Sequence, residues 1–166
     1  MIFDDIPDGA SLFIDANTFV YAFSKHAQLG VACSELMERI DEGDVAGFTS
    51  THVLSETAHR LMTLEACALF GWPFAGIANR LKQRPAELQQ LSAHQRAIDD
   101  ILQSQIQILT IQPQLVLTAT RINQQFGLLS NDALIVAIMQ AQSLTAISSH
   151  DTDFDRVPWI VRYAPV

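Results

Sequence analysis

The stretch S-N-D-A-L-I-V-A-I-M, residues 130–139, decides how the rest of the chain is interpreted. Every residue from 133 to 139 is apolar, which predicts a helix that is buried on all sides and not half-exposed. Ser130 is a suitable N-cap, and Asp132 would lie in the first turn, where unpaired backbone N–H groups favour an anion. A carboxylate at the head of a buried helix is costly unless a partner uses its charge. Asp132 is therefore either a helix cap or part of a functional site.

The composition of the chain suits one domain and excludes several classes of protein. Its 166 residues are 49% hydrophobic, which provides a sizeable core and argues against a disordered or fibrous protein. The longest apolar run is far shorter than a membrane span, and the acidic N-terminus does not resemble a signal peptide. Cys33 and Cys67 form no C-x-x-C motif, so we expect free thiols and a reducing, cytoplasmic setting.

The charge of the chain limits how it could bind nucleic acid. A formal net charge of −8 does not attract RNA or DNA through the overall field. Any nucleic-acid role must therefore come from a local basic patch or from a bound metal ion. Arg80, Lys82 and Arg84 form such a cluster, which could contact RNA or could simply be a solvated helix face.

Short apolar runs alternate with helical patterns along the chain, which predicts an α/β fold with a mainly parallel sheet of four to five short strands. We predict strands over 11–14, 45–49, 106–111, 144–148 and 160–163, the third at a sheet edge. Helical spacing or capping signals predict helices over 27–41, 51–66, 73–84, 86–104, 113–126 and from 130 onward.

Four carboxylates fall at the ends of these predicted elements. Asp15 closes the first strand and Asp151 follows the fourth. Glu56 and Asp132 lie near the starts of helices. In a parallel α/β sheet, strand carboxyl ends and the helix starts that follow them share one rim. Acids clustered there repel one another without a cation, and ligand sets made only of oxygen select Mg²⁺ or Mn²⁺.

These segments together resemble the PIN-domain family and, within it, the VapC-type toxins of toxin–antitoxin pairs. The matching stretches are L-F-I-D-A-N at 12–17, T-S-T-H-V-L-S-E at 49–56, S-N-D-A-L-I-V-A at 130–137 and L-T-A-I-S-S-H-D-T-D-F at 144–154. They span nearly the whole chain in the family's order.

The resemblance implies a fold, an activity and a set of site residues. The fold would be a single three-layer α/β/α domain over residues 1–166, with a helical clip over about 67–104 that serves dimerisation and antitoxin binding. The activity would be that of an Mg²⁺- or Mn²⁺-dependent endoribonuclease, the toxin of a type II toxin–antitoxin pair. The implied partners are an RNA substrate, a small antitoxin protein and a second copy of the chain. By position, the catalytic and metal-binding acids would be Asp15, Glu56, Asp132 and Asp151, with Asp153 as a further candidate ligand and Asn17, Ser130 and Asn131 as supporting neighbours.

Simpler interpretations of single residues stay open. The role of Glu56 could simply be an ion pair with Arg60 one helical turn later, and Asp153 could belong to a solvated turn. His52, Glu56 and His59 share one helical face, which would allow a zinc site.

Two other functions also stay open. A PIN-like fold could serve as a non-catalytic protein-interaction module, which the acidic surface favours. D-A-N-T at 15–18 resembles the start of haloacid-dehalogenase phosphohydrolases, but the second Asp is Asn17. Neither Lys25 nor Lys82 follows a late strand, as that chemistry requires.

Overall fold

The computed structural model describes residues 1–166 and contains five strands, eight α-helices and two short 3₁₀ helices. The strands are β1 (Ser11–Ile14), β2 (Ala46–Ser50), β3 (Gln107–Leu109), β4 (Ala146–Ser148) and β5 (Val161–Tyr163). The helices are α1 (Ala16–Phe23), α2 (Gly30–Asp41), α3 (Thr51–Phe70), α4 (Ile77–Lys82), α5 (Pro85–Leu88), α6 (Ala93–Gln103), α7 (Pro113–Phe126) and α8 (Ser130–Ala141). The 3₁₀ helices cover Phe3–Asp5 and Thr152–Arg156. None of the helices combines the length and apolar character needed to cross a membrane.

The strands form one sheet in the order β3-β2-β1-β4-β5, and every neighbouring pair is parallel. The predicted edge position of the third strand is confirmed. The chain first builds the β1-β2-β3 side and then crosses to β4, so the strand order reverses between β1 and β4. In open parallel sheets, ligand crevices form at such a switch point, beyond the carboxyl ends of the strands.

Helices cover both faces of the sheet. Leu12, Phe13 and Ile14 are consecutive in β1 and all are fully buried, although side chains of a strand point alternately to opposite faces. They belong to a main core of 29 buried residues. In α8 the residues from Ile135 to Met139 are buried without interruption, which confirms the prediction of a buried helix. The α/β fold class is therefore confirmed.

A second, smaller core lies beside α3. It consists of Ala66, Ile77, Leu81 and Leu91, and none of these belongs to the main core. The segment 71–92, which we term the arm, thus packs on the C-terminal half of α3. The arm differs from the sequence prediction because α3 continues to Phe70 and no helix begins at Pro73.

Glycine conformation and one carboxylate explain these different helix limits. Gly71 and Gly76 both have left-handed φ values, of 64° and 74°, so Gly71 ends α3 and α4 begins only after Gly76. The single helix predicted over 86–104 is divided into α5 and α6. A Glu65 carboxylate oxygen accepts the backbone N–H groups of Ser92 and Ala93, at 3.0 and 2.9 Å, and so fixes a new helix start there.

Candidate active site

Asp15 stands at the switch point between β1 and β4. Its backbone N–H donates to Ser148 O at 3.1 Å, which continues the β1–β4 ladder by one residue. The side chain then caps α1, because Asp15 Oδ1 accepts the N–H of Ala16 at 2.7 Å. Only 7% of Asp15 is exposed. A buried carboxylate in this position needs hydrogen-bond donors or a cation.

Asn17 and Ser149 supply those donors and join Asp15 to the loop after β4. Asp15 Oδ2 accepts hydrogen bonds from Asn17 Nδ2 at 2.6 Å and from Ser149 Oγ at 2.8 Å. Asn17 Oδ1 accepts the N–H of His150 at 3.0 Å. Ser149 Oγ accepts the N–H of Asp151, also at 3.0 Å. One hydrogen-bonded network therefore joins the segment after β1, residues 15–17, to the loop after β4, residues 149–151.

Three carboxylates converge next to this network. Oxygens of Asp132, Asp151 and Asp153 all lie within 4.8 Å of one another. Asp151 also caps the second 3₁₀ helix by accepting the N–H of Asp153 at 2.9 Å. Asp153 also makes an ion pair of 2.9 Å with Arg156, three residues later in the same 3₁₀ helix. Oxygen ligands at this spacing suit a hard divalent cation.

Glu56 lies near both groups of acids. Ser50 Oγ caps α3 by accepting the N–H of Val53 at 3.3 Å, which places Glu56 in the second turn at the same rim. Its charge acts on both Asp15 and Asp132. Glu56 also pairs with Arg60 at 3.8 Å, so the simple i, i+4 pairing exists alongside the rim position.

The pKa values of two site acids record how unfavourable their charges are. Burial raises the pKa of Asp15 to about 6, against the opposing hydrogen bonds from Ser149 and Ala16, and Glu56 adds to the rise. Burial also raises the pKa of Asp132 to about 6, and Asp151, Asp153 and Glu56 add like-charge repulsion. Both carboxylates would gain from a bound cation, which is the behaviour expected of metal ligands.

Two arginines were not singled out from the sequence, although they position the acid-bearing loop. Arg156 donates to Gly127 O at 2.8 Å, which ties the loop to the approach of α8. Arg162 makes two hydrogen bonds to the Asp155 carboxylate, at 2.8 and 2.9 Å, and one to Ser149 O at 3.2 Å. Sequence reasoning also did not identify Ser149 as a hydrogen-bond donor to Asp15. The available sequence signal was its place at the end of a buried strand, directly before an acidic loop.

The helix cap expected at Ser130 is not present. Ser130 is the first residue of α8, and the cap position belongs to Leu129, whose extended backbone makes no side-chain cap bond. Asn123 and Arg156 hold the carbonyls of Leu128 and Gly127, which sets the helix start one residue earlier than predicted. Asp132 nevertheless lies in the first turn, as expected. Ser130 and Asn131 are exposed.

The basic cluster and the zinc alternative lie apart from the acids. Arg80 and Arg84 stand over the Trp72 ring, at 5.6 and 5.4 Å from its centroid, so their contacts belong to the arm. Lys82 is exposed.

The zinc alternative is not supported, because the ligand atoms of His52, Glu56 and His59 do not come together at metal-binding spacing. His59 lies seven positions after His52 in the helix, a rise of about 10 Å.

Comparison with known proteins agrees with this architecture. The PIN domain family profile matches residues 12–160. The ribonuclease VapC2 of Methanocaldococcus jannaschii is 27% identical over 154 residues, which is 90% of each chain.

Two solved structures share the fold. The VapC20 toxin of Mycobacterium tuberculosis, described as cleaving the sarcin–ricin loop, superposes with a TM-score of 0.60 at 16% identity, over 87% of this chain and 92% of that one. VapBC2 from Rickettsia felis, solved with a DNA fragment from its promoter, gives 0.55 at 17% identity, over 94% of this chain and 99% of that one. The resemblance seen in the sequence is confirmed, and the chain belongs to the PIN domain family.

Proposed function

We propose that this protein is an Mg²⁺- or Mn²⁺-dependent endoribonuclease that cleaves RNA phosphodiester bonds in the cytoplasm as the toxin of a type II toxin–antitoxin pair. The observation that carries the proposal is the convergence of Asp132, Asp151 and Asp153 within 4.8 Å, beside the buried Asp15 and under the charge of Glu56. The named ribonuclease and toxin among its relatives support the same conclusion.

The donor set fits a hard divalent cation. It consists of carboxylate oxygens, and two of these carboxylates have raised pKa values that a cation would lower. Asp132, Asp151 and Asp153 would hold the ion, and Asp15 and Glu56 would complete the site from the β1 and α3 sides. When bound, such an ion lowers the pKa of water and stabilises the charge that develops on the oxygens around the phosphorus.

The remaining work falls to side chains of this chain. Ser149 and Asn17 hold Asp15 in one orientation through bonds of 2.8 and 2.6 Å. Glu56 would hold a second ion or orient the attacking water. No nucleophilic side chain is required. The aspartyl-phosphate alternative has no support, because Asn17 hydrogen-bonds to Asp15 where that chemistry requires a second acid.

The toxin role also requires protein partners. A Klebsiella pneumoniae toxin–antitoxin complex shares the fold, with a TM-score of 0.55 at 16% identity, over 90% of this chain and 95% of that one. We infer that a small antitoxin protein binds this chain as well. We also infer a homodimer that uses the middle helices, over residues 51–104. Phe74 in the arm and Leu69 on α3 are exposed there and offer apolar surface for such contacts.

A nuclease assay tests the catalytic proposal. Purified wild type should cleave single-stranded RNA with Mn²⁺ or Mg²⁺ and lose cleavage in EDTA. Asp151→Asn should reduce the rate by about a hundredfold or more, since it removes a ligand charge. Asp99→Asn, which changes an exposed acid on α6, should match wild type. If wild type folds but cleaves no RNA with either metal, the non-catalytic interaction module becomes the better account.

A further inference from the structure

An aromatic corner borders the acid network. Tyr21 lies on α1, one turn after Asn17, and its ring is 4.9 Å from that of His26 and 5.9 Å from that of His150, between ring centroids. Tyr21 is half-buried, whereas His26 and His150 are exposed. The backbone of His150 is fixed by Asn17, which also holds Asp15. Asn17 therefore connects the aromatic corner to Asp15 through hydrogen bonds.

A groove leads from this corner along α3. Its cavity, of about 630 Å³, lies between the end of α1 with its following loop and the middle of α3, and Tyr21, Lys25, His26 and Arg60 are among its lining residues. Arg60 also contacts Glu56 at 3.8 Å, so the groove has Arg60 in common with the surroundings of the acid site. The cavity is large enough for one nucleotide or more.

The charge of the groove is opposite to that of the chain. Lys25 and Arg60 bring two of the ten lysines and arginines into this one place, in a protein of net charge −8. Glu65 is a carboxylate in the lining, and its oxygen already accepts two backbone N–H groups at the start of α6. A phosphate can therefore approach this side of the site, while the surrounding acidic surface repels it.

We propose that the aromatic corner and this groove bind a nucleotide next to the scissile phosphate of single-stranded RNA. The base stacks against the Tyr21 and His150 rings, and the adjoining phosphate lies near Lys25 and Arg60. Unpaired bases of single-stranded RNA are bound by stacking of this kind, and backbone phosphates by lysine and arginine. The proposal deepens the proposed function and rests on it. Apolar residues of α3 in the lining would also suit a peptide, which the experiment separates from RNA.

The test measures RNA binding apart from cleavage. The probe is a short, fluorescently labelled single-stranded RNA, kept intact by EDTA, and its dissociation constant is measured by anisotropy. Tyr21→Leu keeps the side-chain bulk without a ring, whereas Tyr21→Phe keeps the ring without the hydroxyl. We expect Tyr21→Leu and His150→Ala to weaken binding about tenfold and Tyr21→Phe to stay within about twofold of wild type. Lys25→Ala should make binding less dependent on salt concentration.

Matched controls separate this site from general effects. His59→Ala and Arg121→Ala change an exposed histidine and an exposed cationic residue outside the groove and should bind as wild type does. Melting curves and Mn²⁺ titrations should be unchanged in His150→Ala, which also answers the question if Tyr21→Leu fails to fold. With active wild-type protein, the corner variants should raise KM more than they lower kcat.

The outcomes distinguish the two proposals. If wild type cleaves and binds RNA but Tyr21→Leu and His150→Ala bind equally well, the nucleotide site is wrong and the proposed function stands; the groove then suits a peptide. If wild type binds the oligonucleotide through these residues but never cleaves RNA, the site stands and the nuclease proposal fails. If wild type does not bind the oligonucleotide at all, the nucleotide site is overturned.

Discussion

The rim of acids and the arm are supported by hydrophobic cores of very different size. The rim residues follow strands and helices of a main core that holds 29 buried residues, and Asp15 is locked by three hydrogen bonds. The arm rests on a core of four buried residues against α3. Its polar contacts include the 3.1 Å pair of Arg84 with Glu87, on the surface. Packing of the main core thus fixes the positions of the acids. The arm has fewer buried contacts, so its conformation is less firmly fixed.

Truncating buried residues in the two regions should give the largest difference. Ile135→Ala in α8 should lower the free energy of unfolding by about 4 kcal/mol, since it opens a cavity in the main core. Leu81→Ala should cost about 2 kcal/mol or less, because the arm can open without unfolding the sheet. Urea unfolding measures both values, and hydrogen exchange should show faster exchange confined to the arm in Leu81→Ala. Equal, global destabilisation by both changes would mean that the arm and sheet form one cooperative unit.

The pH dependence of stability should be specific to the rim. Asp15 has a pKa of about 6 in the folded protein, against 3.8 for the unconstrained group, so the folded state binds this proton more tightly. Stability from that proton is fully present below pH 4 and lost as the pH rises to about 6, a change of about 3 kcal/mol.

Comparison with an uncharged variant isolates that contribution. In EDTA, the difference in unfolding free energy between wild type and Asp15→Asn should shift by up to about 3 kcal/mol between pH 4 and pH 7, in favour of the variant at pH 7. Glu87→Gln, in the arm, should change the pH profile little. A pH-independent difference between wild type and Asp15→Asn would show that the Asp15 charge is well solvated.

Removing one hydroxyl should have a smaller effect, again larger at the rim. Ser149→Ala removes the hydroxyl that bonds Asp15, Asn17 and the N–H of Asp151, and should cost about 2 kcal/mol. Ser92→Ala at the end of the arm loses an exposed bond to Arg96 and should stay within about 0.5 kcal/mol of wild type. Thermal melting of the two variants at neutral pH provides the comparison. Matching losses would show that the Ser149 bonds are no more important than a surface contact.

The same division explains what could be predicted from the sequence. Strands such as 11–14, the edge strand β3 and the buried α8 were predictable, because apolar runs and alternation report burial directly. The arm was not, because a local pattern does not reveal that Gly71 and Gly76 adopt left-handed φ or that Glu65 begins α6 from a distance. Tertiary contacts set those limits.

The candidate site followed a similar rule. The positions of the four acids at element ends were readable once a parallel sheet was inferred, and their catalytic and metal-binding roles stay predictions. The hydrogen bonds of Ser149 and the pairing of Asp153 with Arg156 join residues from different segments or depend on a short 3₁₀ turn. The spacing of the arginines does not distinguish Arg156 from an ordinary surface residue, and the signal for Ser149 is only its place at the end of a buried strand.

The binding of a divalent cation by the rim acids is the central claim, and melting curves of wild type and Asp132→Asn, each in EDTA and in Mn²⁺, test it most directly. Because burial, with added like-charge repulsion, raises the pKa of Asp132 to about 6, its replacement by Asn should leave the metal-free protein as stable as wild type or slightly more stable. At a hundredfold excess over its dissociation constant, Mn²⁺ should stabilise wild type by about 2.7 kcal/mol, or about 5–10 °C, and the variant much less. A sharp loss of stability in metal-free Asp132→Asn, with equal Mn²⁺ shifts in both proteins, would contradict the account and make Asp132 a structural cap.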